Sequence, residues 1–387
     1  MSAVAIKGWC PGALRPMQSG DGLVVRVRPR GGRLDARQAA GIADLAARYG
    51  NGLIDLTSRA NLQIRGVSDE SYPPLIDGLA GLGLLDADSN IEAQRNILVT
   101  PFWTDADDTH SLAAELERAL ASTALDLPTK FGFAIDDGRE RVLAGASADI
   151  RIERARNGGL LVRADGAQFG LSVTRGEAVQ VALALADWFI ASGGARGEKR
   201  RMAAHLAGGA SLPEPLRGDA EPVAQSANPV PSLTPIGAMV GVAFGQMPHG
   251  TLENLAARAQ ALRLTPWRMV LAEGMHEMPR GADLVTDADD PALRVIACSG
   301  APRCAEAHAD TRALASALAS FVPAGARLHV SGCAKGCAYS GSADVTLVAS
   351  REGFDLIRRG TTRDTPVMRG LTGSYLVANP SVLTGDH

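Results

Sequence analysis

The chain has 387 residues, 46% of them hydrophobic and 21% charged, and a formal net charge of −3. That apolar content excludes intrinsic disorder, and the near-neutral balance supplies no basic field for nucleic acid. No run reaches the roughly 20 apolar residues of a membrane helix, and the opening MSAVAIKGWCPG lacks the apolar core of a signal peptide, so a cytoplasmic protein without membrane partners is expected.

In chain order, residues 22–29 (GLVVRVRP) alternate as a strand does. Asp35 then caps a helix that runs to Tyr49 and stops at Gly50. Strands over 52–57 and 61–67 and a helix over 70–84 complete the β-α-β-β-α order of a ferredoxin-like half. Beyond residue 86 the pattern is α+β: a strand over 95–101, a helix over 111–122 capped by Thr109, antiparallel strands over 130–136, 148–153 and 160–164, and a buried helix over 176–193. Residues 212–235 hold six prolines and no apolar period, which predicts an extended linker. The rest repeats the order in outline. It has a strand over 238–245, a helix over 251–262 and strands over 263–265 and 267–272. A strand over 294–297, a helix over 303–320 and strands over 327–330, 344–350 and 353–358 follow. LTSR at 56–59 echoes LTPWR at 264–268. The expected units are 1–85, 86–211, the linker 212–235, 236–290 and 291–387.

Four of the five cysteines fall in two pairs, Cys298 and Cys304 as C-x5-C and Cys333 and Cys337 as C-x3-C, each just after a predicted strand. Gly300, Pro302, Gly332 and Gly336 allow tight turns in which amide N–H groups approach sulfur. Four thiolates hold an iron–sulfur cluster or a tetrahedral zinc, and buried free thiols are the remaining reading. The C-x5-C spacing is long for a zinc knuckle and favours the wider cluster. Cys10 stands apart, either as a half-buried thiol or near a substrate. The only lysines are Lys7, Lys130, Lys199 and Lys335, so nearly all positive charge is arginine. This reflects either coding bias or a site that grips many carboxylates bidentately. The seven histidines form no H-x-x-E or H-x-H pattern.

The cysteine pairs resemble the cluster signature of the assimilatory nitrite and sulfite reductases. TSRANLQIRG at 57–66 is similar to that family's T-x-R-x-x-x-Q strand and carries Arg59 and Gln63. QRNILVTPF at 94–102 is similar to its R-N strand and carries Arg95, and LPTKFGFAIDD at 127–137 is similar to its L-P-x-K-F-K segment and carries Lys130. Gly132 stands where that pattern has a second lysine. The opening CPGALRPMQSGDG and LRLTPWRMVL at 262–271 resemble one branch of the family, the precorrin-3B synthases.

The resemblance implies an α+β fold with a pseudo-two-fold, nitrite/sulfite-reductase-like architecture, in which ferredoxin-like halves join two α+β companion domains. It implies a [4Fe–4S] cluster on Cys298, Cys304, Cys333 and Cys337, and a second, non-haem iron whose ligands are unassigned. The implied activity is an O2-dependent monooxygenase of aerobic cobalamin biosynthesis. It hydroxylates precorrin-3A at carbon 20 and closes a γ-lactone to give precorrin-3B. Arg59, Gln63, Arg65, Arg95, Lys130 and Arg268 would bind the substrate's carboxylate arms, with no catalytic residue assigned. No G-x-G-x-x-G loop follows a strand, so electrons are expected from a ferredoxin or an NADH-dependent reductase, delivered to a monomer. The alternative is a short siroheme-dependent nitrite or sulfite reductase, against which the loss of the second lysine counts.

Overall fold

The computed structural model describes residues 11–123, 125–197 and 200–384. Its first sheet forms where the alternation predicts it: Gly22–Val27 pairs antiparallel with Leu62–Val67, and Leu53–Leu56 lies beyond. Val25, Ile54 and Ile64 point to one face and are fully buried with Ile42 and Ala46 of the helix Ala36–Tyr49. That helix begins where the Asp35 carboxylate accepts the Gln38 amide while the Gln38 side chain accepts the Asp35 amide, a reciprocal cap. The second sheet repeats the plan with Gly237–Val242, Met269–Glu273 and Ala261–Leu264, packed on the helix His249–Arg258.

An exchange of strands ties the two sheets together. Gln246–Pro248, from the second half, pairs antiparallel with Leu53–Leu56 of the first sheet. Arg33–Asp35, from the first half, pairs antiparallel with Ala261–Leu264 of the second. Each donated strand is three residues long, follows a turn with two left-handed residues (Gly31 and Gly32, Phe244 and Gly245) and runs straight into a helix. Leu34 and Met247, one from each donated strand, are fully buried in a single core that spans both halves.

Two further sheets share one strand pattern. The first runs Ile97–Val99, Phe133–Asp136, Ile150–Arg154, Leu160–Ala164, Leu171–Val173. The second runs Val295–Ala297, Leu328–Ser331, Ala343–Ser350, Gly353–Gly360, Met368–Leu371. In each, the first three strands are parallel and the last two antiparallel. The all-antiparallel expectation for the first unit is therefore corrected. The long connection over 137–149 carries the chain back to the starting edge, as a parallel pair requires.

Three other expectations change. The helix predicted over 303–320 is confined to Thr311–Leu318, because Asp310 caps the amides of Arg312 and Ala313 and residues 303–310 form a loop around Cys304. The helix predicted over 251–262 ends at Arg258, since Ala261–Leu264 is held as a strand from both sides. The predicted linker is fastened along the first α+β unit: Ala220 pairs with Gly170, Pro222 with Ala155 and Gln225 with Arg141. Among the described residues no helix is long and apolar enough to cross a membrane.

The shared core predicts that Leu34→Ala costs about 2–5 kcal/mol, the range for a large-to-small core change. Because Leu34 sits in a strand given to the other half, tryptophan fluorescence and far-UV circular dichroism should still report one coincident unfolding transition, shifted as a whole. A second expectation concerns Asp136, whose Oδ2 accepts the Leu143 amide at 2.7 Å while Oδ1 has no partner. Burial, with repulsion from Glu153, raises its pKa from 3.8 to about 6. The folded state therefore holds this proton more tightly than the unfolded chain. The group's contribution is full below about pH 4 and is lost as pH rises through about 6. Asp136→Asn should be more stable than the parent near neutral pH, by on the order of 2–3 kcal/mol, with the gap closing in acid. Denaturant midpoints measured across that pH range check this.

Candidate functional site

The parallel pairing of Val295–Ala297 with Leu328–Ser331 sends the two cysteine loops off the same sheet edge. The Cys298 sulfur accepts the Gly332 amide at 3.1 Å, and a Cβ on Gly332 would lie 2.6 Å from Ala307. Cys298, Cys304 and Cys333 are half-buried and Cys337 is exposed. Burial raises the thiol pKa of Cys333 and of Cys337. Cys298 and Cys304 add to both shifts, Cys333 adds to that of Cys337, and Lys335 opposes them. The four thiols thus share one electrostatic neighbourhood, in which thiolates need cationic metal to coexist. Among the described residues no three His, Cys, Asp or Glu converge closely enough to chelate one ion. The donor set, four cysteines on two loops that leave neighbouring parallel strands, is of the kind that holds an iron–sulfur cluster.

The C-x5-C loop is gripped by the other half of the molecule. The Arg303 carbonyl accepts the Ser19 hydroxyl at 2.9 Å, the Gly20 amide at 3.1 Å and Nη2 of Arg65 at 3.2 Å. Arg65 is itself held by Asp21 through contacts of 2.6 and 3.0 Å and faces Asp55 at 3.4 Å. A Cβ on Gly20 would lie 2.7 Å from the Pro302 carbonyl, so the hairpin of Met17–Ser19 and Gly22–Val27 sits against the loop. Arg95 is equally engaged. It binds Asp86 at 2.8 and 2.9 Å and the Arg28 carbonyl at 2.8 Å, with Glu117 at 3.7 Å. Arg65 and Arg95 are both buried, and each is paired with a carboxylate of its own chain, as buried cations require.

The remaining residues lie around the polar face of the first sheet. Strand register aligns Arg26, Gln63, Asp55 and Gln246 in one row across four strands, opposite the apolar face. With its amide oxygen turned to Arg26, Gln63 accepts from that guanidinium at 2.9 Å, and Gln246 donates to Asp55 at 2.6 Å. Arg59, on the turn between Leu53–Leu56 and Leu62–Val67, donates to the Lys130 carbonyl at 2.9 Å. A Cβ on Gly132 would stand 3.5 Å from Nη1 of Arg59, so the three motif positions meet in space. Arg268 lies on the equivalent turn of the second half, with Nη2 3.5 Å from the Ala338 carbonyl, next to Cys337. Burial lowers its pKa to about 10, with Arg312 adding to the shift and Asp55 opposing it. The left-handed residues of the two turns are Ala60 (φ 52°) and Arg268 (φ 59°), so the LTSR and LTPWR echo aligns Arg59 with Trp267 and not with Arg268. From the sequence, His329 stands out only as a histidine beside the cysteine loops and Arg312 not at all; the fold brings both toward Arg268. Cys10 lies outside the described residues.

Residues 15–82 match the model of the nitrite/sulfite reductase ferredoxin-like half domain. A precorrin-3B synthase of Sinorhizobium sp. is 29% identical over 93% of this chain and 84% of its own length. A ferredoxin–nitrite reductase of Synechococcus elongatus is 31% identical over 38% of this chain and 31% of its own. The structure of the NirA protein of Mycobacterium tuberculosis superposes with a TM-score of 0.65 over 92% of this chain and 79% of that one, at 18% identity. The fold is thus nitrite/sulfite-reductase-like in both halves, and the sequence is similar over most of its length to a precorrin-3B synthase.

Proposed function

We propose that the chain is an O2-dependent monooxygenase that converts precorrin-3A to precorrin-3B by hydroxylation at carbon 20 and γ-lactone formation. The observation that carries this reading is the span of the similarity: it runs through nearly the whole chain for the synthase but through little more than a third for the nitrite reductase. Gly132 supports it, because the place beside Arg59 offers no second lysine to grip a small oxyanion. Cys298, Cys304, Cys333 and Cys337 would hold a [4Fe–4S] cluster, which supplies electrons one at a time. Arg59, Gln63, Lys130 and Arg268 would bind carboxylate arms of the substrate. Arg65 would hold the C-x5-C loop in place and Arg95 would brace the strand behind it. We keep the unit boundaries at 85, 211, 235 and 290, an external ferredoxin or NADH-dependent donor, and a cytoplasmic monomer as parts of the same proposal.

The identity to a nitrite reductase favours a second reading, a short siroheme enzyme. The visible spectrum of the purified protein separates the two, since siroheme adds Soret and red bands to the broad absorption of a cluster. The direct test is aerobic turnover of precorrin-3A with a reductant. Failure to form the lactone, with the cluster intact, would overturn the leading reading.

Replacing any one of the four cysteines by Ala should remove most bound iron and acid-labile sulfide; retention of both after two separate replacements would remove those residues from the ligand set. Arg59→Ala and Lys130→Ala should weaken anaerobic precorrin-3A binding while the cluster spectrum stays unchanged. A lost charge-assisted contact of about 1.5–3 kcal/mol corresponds to roughly 10- to 150-fold in affinity. Arg65→Met should cost about 3–5 kcal/mol by removing the buried guanidinium that faces Asp55 and Asp21, and should speed cluster loss to a chelator.

A further inference from the structure

The pseudo-two-fold provides an internal control for one pair of residues. Ile97–Val99, Phe133–Asp136 and Ile150–Arg154 share their register with Val295–Ala297, Leu328–Ser331 and Ala343–Ser350, so Ala134 occupies the position of His329. The turns place Ala60 at the position of Arg268. In the first half, two alanine methyl groups fill these places within an apolar core. The fold is therefore satisfied by alanine where the second half has an imidazole and a guanidinium.

His329 is fully buried, and among the described residues neither ring nitrogen has a hydrogen-bond partner; Tyr339 meets its ring edge-on. Nε and Nη1 of Arg312 are also buried without partners, and its Nη2 reaches only Asp55, at 3.5 Å. Arg65 and Arg303 add positive charge around Arg312, while the carboxylates close by are Asp55 and Asp21, the latter already taken by Arg65. Burial and the Arg268 charge keep the imidazole neutral, with a pKa near 4, so it offers one donor and one acceptor. Unmet donors and surplus positive charge, set against the loop that carries Cys337, call for an anion with several acceptor oxygens.

We propose that Arg268, Arg312 and His329 form a buried carboxylate site that receives one acidic arm of the tetrapyrrole. This rests on the reading that the substrate is a polycarboxylate tetrapyrrole, and adds Arg312 and His329 to its binding residues. The test is anaerobic titration of cluster-loaded protein with precorrin-3A, with cluster absorbance and unfolding midpoint recorded for each variant. Arg312→Gln and His329→Leu should each bind about tenfold more weakly or worse, the scale of one lost charge-assisted hydrogen bond. His329→Gln, which keeps a donor and an acceptor, should recover most of the affinity. Parent-like affinity in Arg312→Gln and His329→Leu would overturn the site while leaving the proposed function standing. Should His329→Leu fail to fold, parent-like affinity in Arg312→Gln alone overturns it. Absence of binding by the parent protein would overturn both.

Discussion

The reciprocal gift of a strand governs this molecule. A ferredoxin-like sheet that kept all its own strands would present an open edge to solvent, with a row of unpaired N–H and C=O groups. Here Arg33–Asp35 and Gln246–Pro248 each close the other half's edge, and their Leu34 and Met247 side chains enter a common core. The halves cannot move apart without breaking ladder hydrogen bonds on both sides. Everything that depends on the relation between halves inherits that rigidity, including the row from Arg26 to Gln246, whose last member comes from the donated strand.

Rigidity of this kind suits a site whose parts come from distant segments. The four cysteines lie in the last unit, yet the loop holding two of them is fixed by Ser19, Gly20 and Arg65 from the first. The turn bearing Arg59 rests on Lys130, and the turn bearing Arg268 rests on the loop that follows Cys337. Positive charge is placed with the same economy. Arg65 and Arg95 are neutralised by Asp21 and Asp86 and serve the frame, whereas Arg268 and Arg312 are left with fewer carboxylates than guanidiniums. An arginine-rich composition hides this division, because the two groups differ only in what the fold sets beside them.

The elements whose cause is local were legible in the sequence. The Asp35 cap and the alternation from Gly22 each act within a few residues, and each appears where expected. The donated strands were not legible, since three residues cannot show a period and their pairing partners lie in the other half. The stretch 303–310 has helix-forming composition, but the loop around Cys304 and the cap at Asp310 override it. The ion pairs of Arg65 with Asp21 and of Arg95 with Asp86 were not legible for a related reason. A motif records that an arginine is present, and burial beside an aspartate decides what it holds.

The grip on Arg303 spans 284 positions of sequence. A ribosome makes the hairpin that does the gripping well before the loop it grips. Until Ala261–Leu264 has been made, the edge that Arg33–Asp35 will cover does not exist, and those three residues lack the strand they pair with. The nascent chain therefore carries an unfinished first half for most of its manufacture, a state that invites chaperone capture or mispairing with a neighbouring copy. The cysteine loops are made later than either donated strand, so the grip on them closes only once both halves are present.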